Sequence, residues 1–344
     1  MKTAKPMTRR DALKLTAGAS AWPLLARAST TLAQAAGPGF KVTLDVRHPD
    51  LHKLVAADAT VARVAGGFAF TEGPVWRKGA LLFSDIPNRR IVRWRPLREG
   101  SEVTTFATGD SNGLAIDRQG RLLAAEHDGR RLSRIADDGT RTTLAERFEG
   151  KRLNSPNDVL VKSDGTIYFT DPPFAVQPHV AGTPRQPRWW TLPIPGKELA
   201  FNGIFRLGTD GKLSVVADDF VLPNGIELSP DESVMYINDS ANRHIRALDV
   251  RPDGSLANSR VLLLMDSTEP GVADGLKVDL AGNVYCAGPG GVWVCRANGE
   301  LLGRIVLPEV TANLGWGENG TVLFLTSSTS VYRLQTLTRG YVAS

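Results

Sequence analysis

The sequence predicts an all-β fold, a six-bladed β-propeller with a central metal-binding channel, and three observations carry that prediction. Past residue 40 helical periodicity is nearly absent, and short apolar runs alternate with Gly, Asn and Asp turns. One unit of sequence recurs six times. Every copy opens on an acid or an amide.

The copies begin "EGPVWRKGALLFSD" at Glu72, "NGLAIDRQGRLLAAE" at Asn112 and "NDVLVKSDGTIYFTD" at Asn157. They continue "NGIELSPDESVMYIND" at Asn224, "DGLKVDLAGNVYCAG" at Asp274 and "NLGWGENGTVLFLTS" at Asn313. Each reads as a polar residue, a short strand, a turn, a second strand, another turn and a third strand. The spacings are 40, 45, 67, 50 and 39 residues. A four-stranded blade takes about 40 residues, and closing six blades into a ring leaves only short, protected edges. The longest spacing holds an insertion, residues 175–200, with Trp189 and Trp190 between proline-rich flanks. It is a lid over the channel mouth or a packed surface loop. The last copy is short of a strand. Residues 40–68 are strand-like and are expected to complete it, which makes residues 36–344 one propeller domain. An open sandwich is the structural alternative.

Residues 1–35 have a basic start, a mildly apolar stretch and small residues, the layout of an export signal. Thr8-Arg9-Arg10-Asp11-Ala12-Leu13-Lys14 resembles a twin-arginine signal, with Ala12 in a slot that is usually Phe. That resemblance implies a periplasmic protein handled by the twin-arginine translocase. Cleavage would follow Ala35 or Ala28; a retained amphipathic helix is the alternative. No cysteine lies here to carry a lipid anchor. The segment also explains the charge. Lys2, Lys5, Arg9, Arg10, Lys14 and Arg27 against Asp11 give +5, the formal charge of the whole chain. The remainder is near neutral, so the basic pI argues for no nucleic-acid or membrane partner.

Cys286 and Cys295 flank a hairpin turn at Pro289-Gly290-Gly291. A two-residue turn at Gly290-Gly291 would set them opposite each other, where an exported protein could oxidise them. Two buried thiols are the favoured alternative.

In a propeller the first strand of each blade lines the channel, so the opening residues Glu72, Asn112, Asn157, Asn224, Asp274 and Asn313 form a ring at its mouth. Buried carboxylates need neutralising. Carboxylate and amide oxygens suit a hard divalent cation, chiefly Ca²⁺, with Zn²⁺, Mn²⁺ and Mg²⁺ as alternatives. No His or Cys stands at a ring position, which counts against a dedicated zinc site. Taken singly, each Asn-Gly or Asp-Gly reads as a turn dipeptide. His127, ending the second strand of blade two near the channel mouth, is a substrate or proton-transfer candidate, or a surface-loop histidine. Asp171, ending the matching strand of blade three, binds substrate or caps the turn at Pro172-Pro173. Asp158 takes a slot that is Gly in four copies and is expected to point off the channel axis. Serine-elbow, zincin, Walker and dinucleotide-binding motifs are missing from the sequence.

"TEGPVW", "RLNSPNDVLVKSDGTIYFTDPPF", "LPNGIELSPDESVMYIND" and "ADGLKVDLAGNVYCAGPGGVWV" resemble the regucalcin/gluconolactonase family, and the resemblance runs from about residue 60 to residue 335. It implies a six-bladed propeller, one divalent cation and hydrolysis of a sugar lactone such as D-glucono-1,5-lactone. The family's metal ligands match Glu72, Asn224 and Asp274, with Asn157 beside the metal as a ligand or substrate contact. Asp274 is expected to double as general base, and Asn112 to orient substrate hydroxyls with Asn157. Where animal members carry an arginine two positions before that Asn, this chain has Ser155, so their substrate range does not transfer. Two other readings stay open: an esterase or organophosphate hydrolase on the same metal, and a non-enzymatic binding propeller.

Overall fold

The computed structural model describes residues 37, 39–177 and 188–342. The export-signal segment and the centre of the insertion lie outside the described residues. Six antiparallel blades follow the six repeats, and one small hairpin, Arg147–Phe148 with Lys151–Arg152, stands between blades 2 and 3. Blade 1 is Thr71–Arg77, Ala80–Asp85, Arg90–Pro96 and Ser101–Thr108. Blade 2 is Ser111–Ile116, Leu122–Glu126, Arg131–Ile135 and Arg141–Ala145; blade 3 is Val159–Val161, Ile167–Asp171, Gly203–Leu207 and Leu213–Ala217. Blade 4 is Pro223–Leu228, Val234–Asp239, His244–Val250 and Leu256–Leu264. Blade 5 starts with Leu276–Val278, Val284–Gly288, Gly291–Cys295 and Leu301–Val306, and blade 6 with Thr311–Gly317, Val322–Ser327 and Ser330–Gln335. The first strands of neighbouring blades touch in a ring, and blade 6 meets blade 1.

The N-terminal segment does more than the sequence implied. Thr60–Gly66 pairs with Ser330–Gln335 and completes blade 6, as expected. Phe40–Lys41 then adds a fifth strand to that blade. Thr43–Val46 crosses to blade 5 and pairs with Leu301–Val306. One segment therefore braces two blades.

The second strands of blades 1, 2, 3, 5 and 6 are buried along their whole length. A strand covered on both faces needs no polar face, which is why these segments read as near-continuous apolar runs rather than alternation. Six core clusters result, one wedged between each pair of adjacent blades. Outer strands such as Ser101–Thr108 keep an exposed side and a polar sequence.

The cysteine hairpin departs from the expected register. Gly288 pairs with Gly291, so the two turn residues are Pro289 and Gly290, one residue earlier than the sequence suggested. Gly290 supplies the positive φ (75°) that the third position of such a turn requires. Cys286 therefore faces Trp293 and Cys295 faces Val284, so the cysteines are diagonal rather than opposed. Both are free, buried thiols. Burial holds the Cys286 and Cys295 pKa values above the ordinary thiol range.

Candidate active site

The ring residues stand where the inner strands begin, and β-bulges help to place them. In blades 1, 2, 4 and 6 the pairing of first and second strands slips at the ring position: between Glu72 and Val75, Ser111 and Leu114, Pro223 and Ile226, and Thr311 and Asn313. A bulge re-aims side chains and strengthens the local twist. Asn112-Gly113 and Asn224-Gly225 thus lie inside strands, not in turns. Their glycines serve close approach between blades. A Cβ on Gly113 would sit 2.6 Å from the Asn157 carbonyl oxygen, and one on Gly225 would strike the Asp274 carbonyl.

Glu72, Asn112, Asn157, Asn224 and Asn313 are buried, while Asp274 keeps partial exposure. Glu72 Oε2 accepts from the Gly73 backbone at 2.6 Å and from Asn313 Nδ2 at 2.8 Å. Glu72 and Asp274 lie within hydrogen-bonding reach of each other, and Asn224 hydrogen-bonds Asp274. Asn224 Nδ2 also donates to Ser240 Oγ at 3.0 Å, and Ser240 Oγ donates to the Ala273 carbonyl at 2.5 Å. Burial, with the negative charge of Asp158 added, pushes the Glu72 carboxyl up to about 7. Burial and the facing Glu72 raise Asp274 well above the carboxylate range. Two acids within reach of each other, both with raised pKa values, fit a divalent cation between them. The Asn112 Oδ1 atom is buried without a hydrogen-bond partner among the described residues, and it too calls for a donor or a cation. No metal-binding group of three or more His, Cys, Asp or Glu gathers among the described residues. The candidate set is two carboxylates completed by amides, so it suits a hard cation.

Several residues that sequence reasoning passed over hold this ring. Ser84 Oγ donates to the Asn112 carbonyl at 2.7 Å, and Thr170 Oγ1 to the Asn224 carbonyl at 2.7 Å. Asn238 Nδ2 donates to the Asp274 carbonyl. In each case the second strand of one blade anchors the ring residue of the next. The signal was present at the end of the repeat, in the matching pairs Ser84-Asp85, Thr170-Asp171 and Asn238-Asp239.

The acids of those pairs are corners. Asp85 accepts from the Ala69 and Phe70 backbone, and Asp239 from Val221 and Leu222. Asp171, read from sequence as a substrate contact or a cap, does the same work: its Oδ2 accepts from the Asn154 backbone at 2.7 Å, and it has no exposure. The structure does not bring it to the ring. Ser155 is also buried; its Oγ donates to the Pro172 carbonyl at 2.6 Å and accepts from the Ala175 backbone at 3.1 Å. His127 is half-buried, with Nδ1 3.2 Å from Asp128 Oδ1 and its ring stacked on Phe174 at 6.2 Å. Phe174 in turn meets Trp189 at 6.0 Å. Asp158 is tied to the ring more closely than the sequence suggested. It is buried, with Oδ1 accepting from the Val159 backbone at 2.9 Å and Oδ2 lacking a partner among the described residues. Its charge reaches both Glu72 and Asp274.

Residues 70–329 match the SMP-30/Gluconolactonase/LRE-like region. A gluconolactonase from Zymomonas mobilis is 31% identical over 319 residues, covering 85% of each chain. A pentonolactonase from Haloferax volcanii is 27% identical, covering 75% of this chain and 81% of its own. Among solved structures, a gluconolactonase from Xanthomonas campestris superposes with a TM-score of 0.75 at 32% identity, over 88% of this chain and 99% of that one. The fold, the ring and these matches together place the chain in the SMP-30/gluconolactonase/LRE-like family.

Proposed function

We propose that this protein hydrolyses a sugar lactone, D-glucono-1,5-lactone first among them, at a divalent cation held by Glu72, Asn224 and Asp274, with Asn157 beside it. The observation that carries this reading is the adjoining pair of acids, Glu72 and Asp274, in a ring otherwise made of amides. The names of the gluconolactonase and pentonolactonase relatives support the substrate class. Ca²⁺ is the favoured ion, because the donors are all oxygens. When bound, such an ion polarises the lactone carbonyl and lowers the pKa of water. Asp274 accepts the proton of the attacking water; its partial exposure leaves it accessible from the mouth. Asn157 and Asn112 orient ring hydroxyls, and the proton returns to the leaving alkoxide as the ring opens.

The test is hydrolysis of glucono-1,5-lactone by purified protein stripped with EDTA and then given Ca²⁺, Mg²⁺, Mn²⁺ or Zn²⁺. A metal-dependent rate above the spontaneous one is expected. Asp274→Asn should stay folded and lose about 10²-fold or more. A metal-independent rate, or a fully active variant, rejects the assignment. We further propose twin-arginine export to the periplasm, on the Arg9-Arg10 motif. Sequencing the N-terminus of protein from a periplasmic extract should show cleavage after residue 28 or 35; protein found only uncleaved in the cytoplasm refutes it.

A further inference from the structure

Below the ring the channel changes character. Its walls there are apolar on four blades, with Val75, Leu114, Leu160 and Trp316 among the lining residues, and Tyr341 beside them. Blades 4 and 5 instead contribute Glu227 and Lys277, each three residues beyond a ring position. Lys277 Nζ lies 3.2 Å from Glu227 Oε2 and donates to the Leu276 carbonyl at 2.9 Å. Asp158, from blade 3, adds a buried carboxylate whose Oδ2 has no hydrogen-bond partner among the described residues. Burial opposes the charge on Lys277, but Glu227 and Asp158 outweigh it and raise its pKa. Lys277 in turn offsets part of the burial cost that raises Asp158.

Blades 4 and 5 therefore place one carboxylate and one ammonium in the lower channel, and the buried Asp158 of blade 3 is near enough for its charge to act on that ammonium. We propose that the Lys277 ammonium is a built-in cation, paired with Glu227 and offsetting the charge of Asp158, in the place that a second divalent ion would otherwise take. Lys277 is a positioning residue on this account: it keeps Glu227 and Asp158 compensated and limits the channel to one exchangeable ion. An unpaired buried carboxylate is costly, so removing the ammonium should create demand for a replacement cation.

The experiment is Ca²⁺ binding to the full chain, by isothermal titration and equilibrium dialysis up to millimolar Ca²⁺. Wild type and Lys277→Arg should bind the same number of ions. Lys277→Met should bind one more, and Lys277→Met with Glu227→Gln should lose that extra ion. The increment is the readout, so the proposal survives or fails independently of whether the upper ring binds Ca²⁺. A folded Lys277→Met with no added ion overturns it. Should that variant unfold, recovery of its folded state by millimolar Ca²⁺ supports the proposal, and failure to recover overturns it.

Discussion

Asp171 and Asp274 show how one residue type serves two ends. Both are raised by burial, Asp171 to about 7. Asp274 meets the side chains of Glu72 and Asn224 in the ring, whereas Asp171 is tied to the Asn154 backbone. The consequence for Asp171 is a pH effect on stability. Its folded pKa lies above its unfolded value, so between about 4 and 7 the folded state holds a proton the unfolded state has released. Stability contributed by this group therefore falls as pH rises through that window. Asp171→Asn should flatten this part of the stability profile, measured by urea denaturation across the upper half of that window and just beyond it. An unchanged slope would show that Asp171 titrates normally.

At the scale of the element, the inner strands of blades 1, 2 and 4 are bulged, and the glycine after each ring residue admits the next blade. Gly225→Ala should cost about 1–3 kcal/mol by overpacking and displace the Asp274 backbone, reducing lactonase activity at least tenfold in protein that remains folded. Full activity would mean that the close approach is dispensable. The blades and the ring were legible in sequence because each repeat couples an apolar second strand to a polar opening residue. The anchoring role of Ser84, Thr170 and Asn238 was not, since hydrogen bonds between blades join residues far apart in the chain. Nor was the cysteine register: three consecutive turn formers, Pro289, Gly290 and Gly291, allow two hairpins that differ by one residue. The burial of Asp158 was equally hidden, because it precedes the strand Val159–Val161 and the alternation of a strand says nothing about residues outside it.

For the whole molecule, closure depends on the N-terminal segment. Truncation before residue 43 removes, of the described strands, only Phe40–Lys41 and should leave activity nearly intact. Truncation through residue 66 removes Thr43–Val46 and Thr60–Gly66 as well, opening blade 6. That variant should lose cooperative thermal unfolding and lactonase activity together; a cooperative, active product would show that the ring closes without its last strand.

The same brace sets an order in time. Thr60–Gly66 precedes all six repeats, but its partner Ser330–Gln335 is the last of the described strands to be made. The candidate ring residues span Glu72 to Asn313, so no partial chain short of the sixth repeat presents them all. The ring can take its final geometry only once the sixth repeat has been made, and the early strand must wait for its blade until then. Closure of this ring is in that sense deferred, by construction, until its sixth repeat exists.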